Sequence, residues 1–452
     1  MNIFFIEFEV IPTSANEHFD LVEGALASCW IEDNSPQSAF AKAEFFVSKD
    51  DWDIVKIENL PIEVLEEHFL ERDLGMEQFC KAQKEGIAII YSAWAKDKKT
   101  TAGPIPIKPS HKFPLSDYIK TQKQLSNKGR CLHYENGNRC NEIIKAHSIQ
   151  KNRALSVIAD KGNVYSISAN IGSLKRNKGR LTYSKCGINK VSTFLGFCKR
   201  HDNELFKPID DYPLIPTDQQ ILLYAYRSLC RELFLKENSF ELINNRLEKG
   251  LDQKAVHNLF LGYKQGIFFG LDNLKRHKEY FDTSLRESAY FNIRYVIFIS
   301  KQEPTIAFSG LFYPDFDFMG RMLQDLGDHS AELQLLSFCS APMDKEGWAF
   351  LFAWHQSSSN VCVEFMKSLA TMIHEDINSL RDYLFRLAIS NCGNLAISPK
   401  WWENLPEEIK ESITERTTLM ADIFSITDQS YLAKGLEGIS NWQFEEVISN
   451  MD

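Results

Sequence analysis

Two short motifs in the middle of the chain constrain its fold more than any other feature. Cys131 and Cys140 flank a turn-forming Tyr-Glu-Asn-Gly-Asn run, and Cys198 and His201 follow further along with C-x-x-H spacing. Two pairs of thiolate and imidazole ligands can close a tetrahedral zinc site, in which the metal replaces the apolar core that a small module lacks. The motifs therefore predict a structural Zn²⁺ ion held by these four side chains.

The other cysteines and a nearby histidine offer weaker evidence of metal binding. His133 lies between the first two cysteines and Cys186 lies in the same segment, so either can replace one of the four ligands. The remaining six cysteines stand singly in apolar surroundings, which is typical of reduced core residues. These are Cys29, Cys80, Cys230, Cys339, Cys362 and Cys392.

A chain of 452 residues is too long for a single hydrophobic core. Its patterns divide it into an N-terminal part with a linker over residues 1–110, a zinc-binding module over 111–210 and a C-terminal part over 211–452. We predict a multidomain α+β protein. It has a small α+β sandwich first, the zinc-stapled module in the middle, and a helical domain with an antiparallel sheet at the end.

Hydrophobic periodicity supports this division. The N-terminal part predicts the order β-β-α-β-α-β, with strands over residues 2–11, 25–31, 52–57 and 87–95 and helices over 35–46 and 62–71. The C-terminal part begins with two helices, over residues 218–236 and 253–281, and ends with helices over 363–389. Between them, four period-two runs predict an antiparallel sheet, over residues 293–300, 305–312, 333–340 and 348–355.

Charge is distributed unevenly along the chain. Residues 121–200 contain 16 Lys and Arg but three Asp and Glu, so this segment carries +13 in a chain of −10 overall, and the remainder carries −23. Such a basic block favours a nucleic-acid partner, DNA first, because it matches a phosphate backbone. The alternative is that it docks on the acidic parts of the protein itself. The candidate contact residues are Lys145, Lys151, Arg153, Lys175, Arg176, Lys178 and Arg180, of which the last four lie in a glycine- and lysine-rich loop.

The sequence predicts no membrane segment. It contains no run of 18 uncharged apolar residues, and its first residues, MNIFFIEFEVIP, alternate like a strand and lack the basic start of a signal peptide. We therefore expect a cytoplasmic protein. The acidic flanking parts are candidates for binding a protein partner or for self-association.

The central segment resembles the HNH endonucleases in their zinc-containing, treble-clef form. Cys131 and Cys140 stand where that family has its first pair of zinc ligands, and His147 stands where it has the general base. Cys198-Lys-Arg-His201-Asp202 stands where the family has C-x-x-C-H. His201 then replaces a cysteine, and Asp202 replaces the histidine that binds the catalytic metal.

The resemblance implies a treble-clef, ββα-like module and a metal-dependent endonuclease that acts on DNA. His147 would be the base, and Asp202 would hold Mg²⁺ or a similar ion. Asn203 and Asn189 are the candidates for the residue that orients the base. A role in bacterial restriction or phage defence follows by analogy.

The segment also departs from the family pattern. Ala146 occupies a position where the family has Asp or His, and the first two cysteines have C-x8-C rather than C-x2-C spacing. These departures favour an alternative, a non-catalytic zinc-structured protein that binds nucleic acid or acts as a scaffold.

Overall fold

The structure is a computed structural model, and it describes residues 2–69, 73–95, 115–167, 181–248, 254–328, 330–344, 347–375, 377–421 and 428–451. The chain forms two compact units. One consists of Met1–Phe113 with Leu247–Tyr263, and the other consists of Pro114–Arg246 with Lys264–Asp452. The boundary predicted between residues 210 and 211 falls inside the second unit.

The first unit is built on a four-stranded antiparallel sheet in the order β3-β1-β2-β4. Its elements are β1 (Asn2–Pro12), β2 (Val22–Asp33), α1 (Pro36–Lys49), β3 (Trp52–Val64), α2 (Asp73–Glu85) and β4 (Ile87–Ala95). Ser35 begins α1, because its side chain accepts a hydrogen bond from the backbone N–H of Ser38 at 3.2 Å and Pro36 supplies a preset φ. The predicted order β-β-α-β-α-β is confirmed.

One predicted element of this unit is wrong. The described part of residues 62–71, where a helix was expected, forms no α-helix: β3 continues to Val64, a short 3-10 helix covers Glu66–Phe69, and the α-helix is Asp73–Glu85. Pro61 lies within β3, which is an edge strand, at a register shift, where a missing N–H breaks no ladder hydrogen bond.

The second unit contains the central segment and the C-terminal part. Its strands are β5 (Ile143–His147), β6 (Asn163–Ile167), β7 (Tyr183–Gly187), β8 (Thr193–Cys198), β9 (Ile293–Ser300), β10 (Ile306–Phe312), β11 (Leu336–Pro342), β12 (Trp348–His355), β13 (Leu395–Ile397) and β14 (Glu446–Ser449). The helices that lie wholly or mostly in it are α3 (Leu115–Asn127), α4 (Ser156–Ile158), α5 (Lys199–Leu205), α6 (Lys207–Asp210), α7 (Asp218–Glu248), α8 (Lys254–Arg286), α9 (Ser359–Glu375), α10 (Leu380–Asn391), α11 (Pro399–Asn404) and α12 (Glu407–Ala421). A π-helical turn, Lys151–Leu155, precedes α4.

An eight-stranded sheet in the order β14-β9-β12-β11-β10-β13-β6-β7 forms the centre of this unit. The four predicted C-terminal strands are confirmed as β9 to β12, and they pair antiparallel. Two strands of the central segment, β6 and β7, extend the same sheet through β13, which was not predicted. The described strands pair antiparallel throughout, which confirms the α+β class.

Alternate side chains of β9 point into two different apolar cores. Ile297 and Ile299 pack in a core with α7 and the central segment, whereas Val296 and Phe298 pack in a core with α9 and α10. Strands buried on both faces read as near-continuous apolar runs, as β9 to β12 do. The central segment therefore shares its core with the C-terminal part.

A separate two-stranded antiparallel sheet, β5 with β8, lies directly before α5 and carries the candidate site. Ile143 pairs with Cys198 at one end of this ribbon, and His147 pairs with Thr193 at the other. Within the described ranges, no helix combines the length and the apolar character that a membrane span needs.

Candidate metal centre

Backbone hydrogen bonds bring the two ligand motifs together. Leu132 donates its N–H to the carbonyl of Gly196 at 2.8 Å, so the chain carrying Cys131 runs alongside β8. A tight reversal follows, in which Gly137 adopts a φ of +85°, a value that favours glycine. The reversal returns the chain to Cys140 and then into β5. The turn residues between the two cysteines thus reverse the chain, which brings Cys140 back beside Cys131.

The four predicted zinc ligands form one cluster. Their ligand atoms all lie within 4.8 Å of one another, in the set Cys131, Cys140, Cys198 and His201. The Sγ atoms of Cys131 and Cys140 lie 3.4 and 3.5 Å from Nδ1 of His201. Tetrahedral Zn²⁺, with Zn–S bonds of about 2.3 Å and Zn–N bonds of about 2.0 Å, sets sulfur and nitrogen ligands about 3.5 Å apart. The donor set and its spacing fit a structural zinc ion.

The second motif is held by the start of α5. Cys198 is the N-cap residue, and its Sγ accepts a hydrogen bond from the backbone N–H of His201 at 3.5 Å. Burial opposes ionisation of Cys198, but backbone N–H groups of Asn141 and His201 outweigh it and lower the pKa of this thiol. Burial raises the pKa of Cys131 to about 12. A bound metal must displace the Cys131 proton, so metal binding is coupled to pH.

His133 supports the cluster but is a poor alternative ligand. Together with Glu135 and His201 it forms the second close group of metal-binding side chains in the described residues. Its ring stacks on that of His201 at 4.0 Å with an interplanar angle of 13°, and its Nδ1 accepts a hydrogen bond from the N–H of Glu135. Imidazole lone pairs lie in the ring plane, so two parallel rings cannot both point at one ion. The stacking instead fixes the orientation of His201.

Cys186, the other alternative ligand, lies apart from the cluster. It sits on β7 opposite Val164 and packs in a small apolar core with Ile188. Burial raises the pKa of its thiol. The six single cysteines are reduced as predicted, and five of them are buried, namely Cys29, Cys230, Cys339, Cys362 and Cys392.

His147 lies at the end of β5 with one ring nitrogen engaged. Its Nε2 donates to the carbonyl of Ile188 at 3.1 Å. This hydrogen bond fixes a tautomer in which Nε2 carries the proton and Nδ1 carries the lone pair that can accept one. Burial, helped by the nearby charges of Lys151 and Arg227, lowers the pKa of His147, so its ring is neutral at pH 7.

Asp202 is a half-buried carboxylate on α5, one residue after the ligand His201. Its Oδ1 is buried and has no hydrogen-bond partner in the part of the chain that the structure describes. Burial raises the pKa of Asp202 to about 6, although the positive charge of Arg227 acts in the opposite direction. Asn203, the third predicted catalytic residue, is exposed on the same helix.

Three polar residues near His147 and Asp202 were not among the predicted site residues. Asp210 and Arg227 form a bidentate ion pair, with Nη1–Oδ1 and Nη2–Oδ2 distances of 2.8 and 2.6 Å, and both influence the pKa values of His147 and Asp202. Gln150 donates to the carbonyl of Asp210. Arg227 had a detectable signal, since it is a charged residue inside the apolar run ILLYAYRSLC, where burial demands a partner.

A catalytic Mg²⁺ would find few protein ligands at this place. Among the described residues, no group of three His, Cys, Asp or Glu side chains forms around His147 and Asp202. Ala146, the departure from the family pattern, is buried and offers no donor. Asp202 supplies one free carboxylate oxygen, and Mg²⁺ commonly binds one or two carboxylates with water and substrate phosphate as its other ligands. The donor set thus fits only an ion that a substrate helps to hold.

The predicted basic contact residues are partly within the described ranges. Lys145 is exposed on β5, and Lys151 is half-buried near His147. Arg153 is exposed and donates to the carbonyl of Asp211 at 3.1 Å. The other four, Lys175, Arg176, Lys178 and Arg180, lie outside the described residues.

Comparisons with protein-family models, with curated proteins and with solved structures find no match to this chain.

Proposed function

We propose that the second unit is an HNH-like, metal-dependent endonuclease that cleaves DNA. In this proposal β5, β8 and α5 form a zinc-stapled ββα module of treble-clef type, with His147 as the general base and Asp202 as the ligand of a divalent ion. The Cys/His cluster is the structural zinc site of that module. A role in restriction or phage defence is part of the proposal, by analogy with the family.

The state of His147 is the observation that carries the proposal. A general base at neutral pH must be unprotonated and must have a free lone pair. The carbonyl of Ile188 takes the Nε2 proton of His147, so Nδ1 keeps its lone pair, and the lowered pKa keeps the ring neutral. His147 therefore accepts a proton from water at Nδ1 without first losing one.

The surrounding charges suit a phosphodiester substrate. Lys151 faces His147 and is half-exposed, so it attracts a phosphate toward the base. A divalent ion at Asp202, when bound, would stabilise the negative charge that develops on the phosphate oxygens. Lys145 and Arg153 extend the positive surface along the neighbouring chain.

The test is nicking of supercoiled plasmid DNA with Mg²⁺ or Mn²⁺. We expect cleavage by the wild type and a loss of at least about 100-fold in His147→Ala, the usual size of a general-base contribution. Asp202→Asn should lose a similar amount and should not recover at higher metal concentration. His374→Ala, which removes an exposed histidine on α9, is the matched control and should cleave normally. Zinc content must be unchanged in all variants.

The second candidate is a zinc-structured protein that binds nucleic acid or acts as a scaffold without cleaving. The scarcity of metal ligands around His147, with Ala146 buried beside it, favours this function. It predicts salt-sensitive DNA binding, weakened in Lys145→Ala and Lys151→Ala, with no metal-dependent nicking by the wild type. The same plasmid assay therefore separates the two.

A further inference from the structure

An ion pair between a buried arginine and a partly exposed aspartate ties the long helix α7 to the chain beside the candidate site. Arg227 is 2% exposed, and both of its terminal nitrogens bond to the carboxylate of Asp210 at the end of α6. Its guanidinium also lies 4.1 Å from the ring centroid of Phe206. A bidentate, stacked arginine is held in one geometry, which lysine cannot reproduce.

Contacts of this pair extend toward both candidate catalytic residues. Gln150, three positions after His147, donates its Nε2 to the carbonyls of Ile209 at 2.5 Å and Asp210 at 3.0 Å. On the other side, the ring against which Arg227 packs belongs to Phe206, the residue that ends α5, and its N–H closes the last turn of that helix on the carbonyl of Asp202 at 3.1 Å. The ion pair thus lies between the chain that follows β5 and the helix α5.

The same region contains several buried polar atoms without partners. They are Oε1 of Gln150, Oδ1 of Asp202, the hydroxyl of Tyr224 and Nε of Arg227. Tyr224 and Asp202 both lie within the electrostatic influence of Arg227 and Asp210. Each buried polar atom without a partner carries a desolvation cost, so these groups still have the capacity to bind a further polar partner.

We propose that Arg227 is a positioning residue of the nuclease site, which fixes the chain after His147 against α5 through Asp210 and Gln150. This inference rests on the proposed function. Arg227 touches neither His147 nor Asp202 through a hydrogen bond, so its role is to hold the two in register and to place a fixed positive charge beside them. The charged groups that face His147 are Lys151, after β5, Arg227, on α7, and Asp210, on α6.

The proposal is tested with Arg227→Met, Arg227→Gln and Arg227→Lys. Arg227→Gln keeps a donor for Asp210 and is the variant of choice if Arg227→Met fails to fold. Arg231→Met, one turn further along α7, is the matched control, since Arg231 pairs with its neighbour Glu232. The first readout is the titration of the His147 ring by NMR. The second is kcat and KM for plasmid nicking.

Loss of the Arg227 charge should raise the pKa of His147 by roughly half a unit or more in Arg227→Met and Arg227→Gln, and not in Arg231→Met. For nicking, kcat should fall at least about 10-fold at nearly unchanged KM, because misplacement of the base impairs the chemical step. Arg227→Lys keeps the positive charge, so the pKa of His147 should stay close to its wild-type value. Its kcat should still fall, because lysine does not reproduce the bidentate geometry of Arg227.

Two results would overturn the inference: an unchanged His147 titration in the Met and Gln variants, or full kcat in Arg227→Lys. An inactive wild type has a different meaning. It contradicts the proposed nuclease, while the NMR titration still decides whether Arg227 acts on His147.

Discussion

At the scale of single residues, buried histidines determine how the second unit responds to acid. His355 is 8% exposed, and burial, with nearby His277 and Arg294, lowers its pKa to about 4. Its Nδ1 accepts a hydrogen bond from the backbone N–H of Ser357 and so caps a short helical turn. The folded protein therefore keeps this ring neutral at a pH at which the unfolded chain protonates it.

The stability of the second unit should fall as the pH decreases below 6.5. The unfolded chain then binds a proton that folded His355 does not, so the free energy of unfolding decreases by about 2 kcal/mol between pH 7.5 and pH 5. His355→Asn keeps a capping acceptor but does not titrate, and it should flatten the pH dependence by that amount. Urea unfolding at the two pH values measures the effect. His374→Asn, at an exposed position, should leave the pH dependence of the free energy of unfolding unchanged. The same pH dependence in His355→Asn as in the wild type would contradict the attribution of this effect to His355.

At the scale of elements, one buried asparagine joins the candidate site to the large sheet. Asn394, just before β13, donates its Nδ2 to Oγ of Ser148 at 2.9 Å and to the carbonyl of Ser309 at 3.1 Å. Ser148 follows His147 directly, and its Oγ also lies 2.7 Å from Oγ of Ser192. The chain after β5 is thus fixed by polar contacts with β10 and β13 as well as by its pairing with β8.

Asn394→Ala should destabilise the second unit by about 2–4 kcal/mol, because it removes two buried hydrogen bonds and leaves their acceptors unpaired. The measurement is urea unfolding followed by circular dichroism. Asn404→Ala is a suitable control, since Asn404 is exposed at the end of α11 and its side chain bonds only within that helix. A loss below about 0.5 kcal/mol in Asn394→Ala, equal to that of the control, would show that this link carries little energy.

These elements also show how far the sequence predicts the structure. Local patterns identified β9 to β12 and the four side chains of the Cys/His cluster, because the apolar pattern of a strand and the spacing within a short motif are local properties. The contact between Asn394 and Ser148 spans 246 positions, and no local pattern encodes such a pairing. The pairing of β6 with β13 was not predicted for the same reason. Arg227 is a different case, because its place inside an apolar run is a local signal of a buried partner, although it was not among the predicted site residues.

At the scale of the whole molecule, the metal cluster belongs to the core of the second unit. Cys131 and Cys198 pack in the same apolar core as residues of α7, β9 and β12. Residues 111–210 were predicted to form a separate module, but the described part of this region has a common core with the C-terminal part, so the two should unfold together. If a metal ion is bound at this cluster, its removal would leave buried thiols and a buried imidazole at this core without their ligand. Metal removal should therefore destabilise the whole second unit and not only the turn between Cys131 and Cys140.

The most direct test of this account is the metal content of the purified protein, measured by elemental analysis in the wild type, Cys198→Ser and Cys186→Ser. We expect about one zinc ion per chain in the wild type and in Cys186→Ser, and almost none in Cys198→Ser, because a four-ligand structural site does not tolerate the loss of a thiolate. The Cys198→Ser variant should also unfold at lower urea concentration than the other two. A wild type without zinc, or a Cys198→Ser variant that retains it, would contradict the zinc-centred account of the second unit.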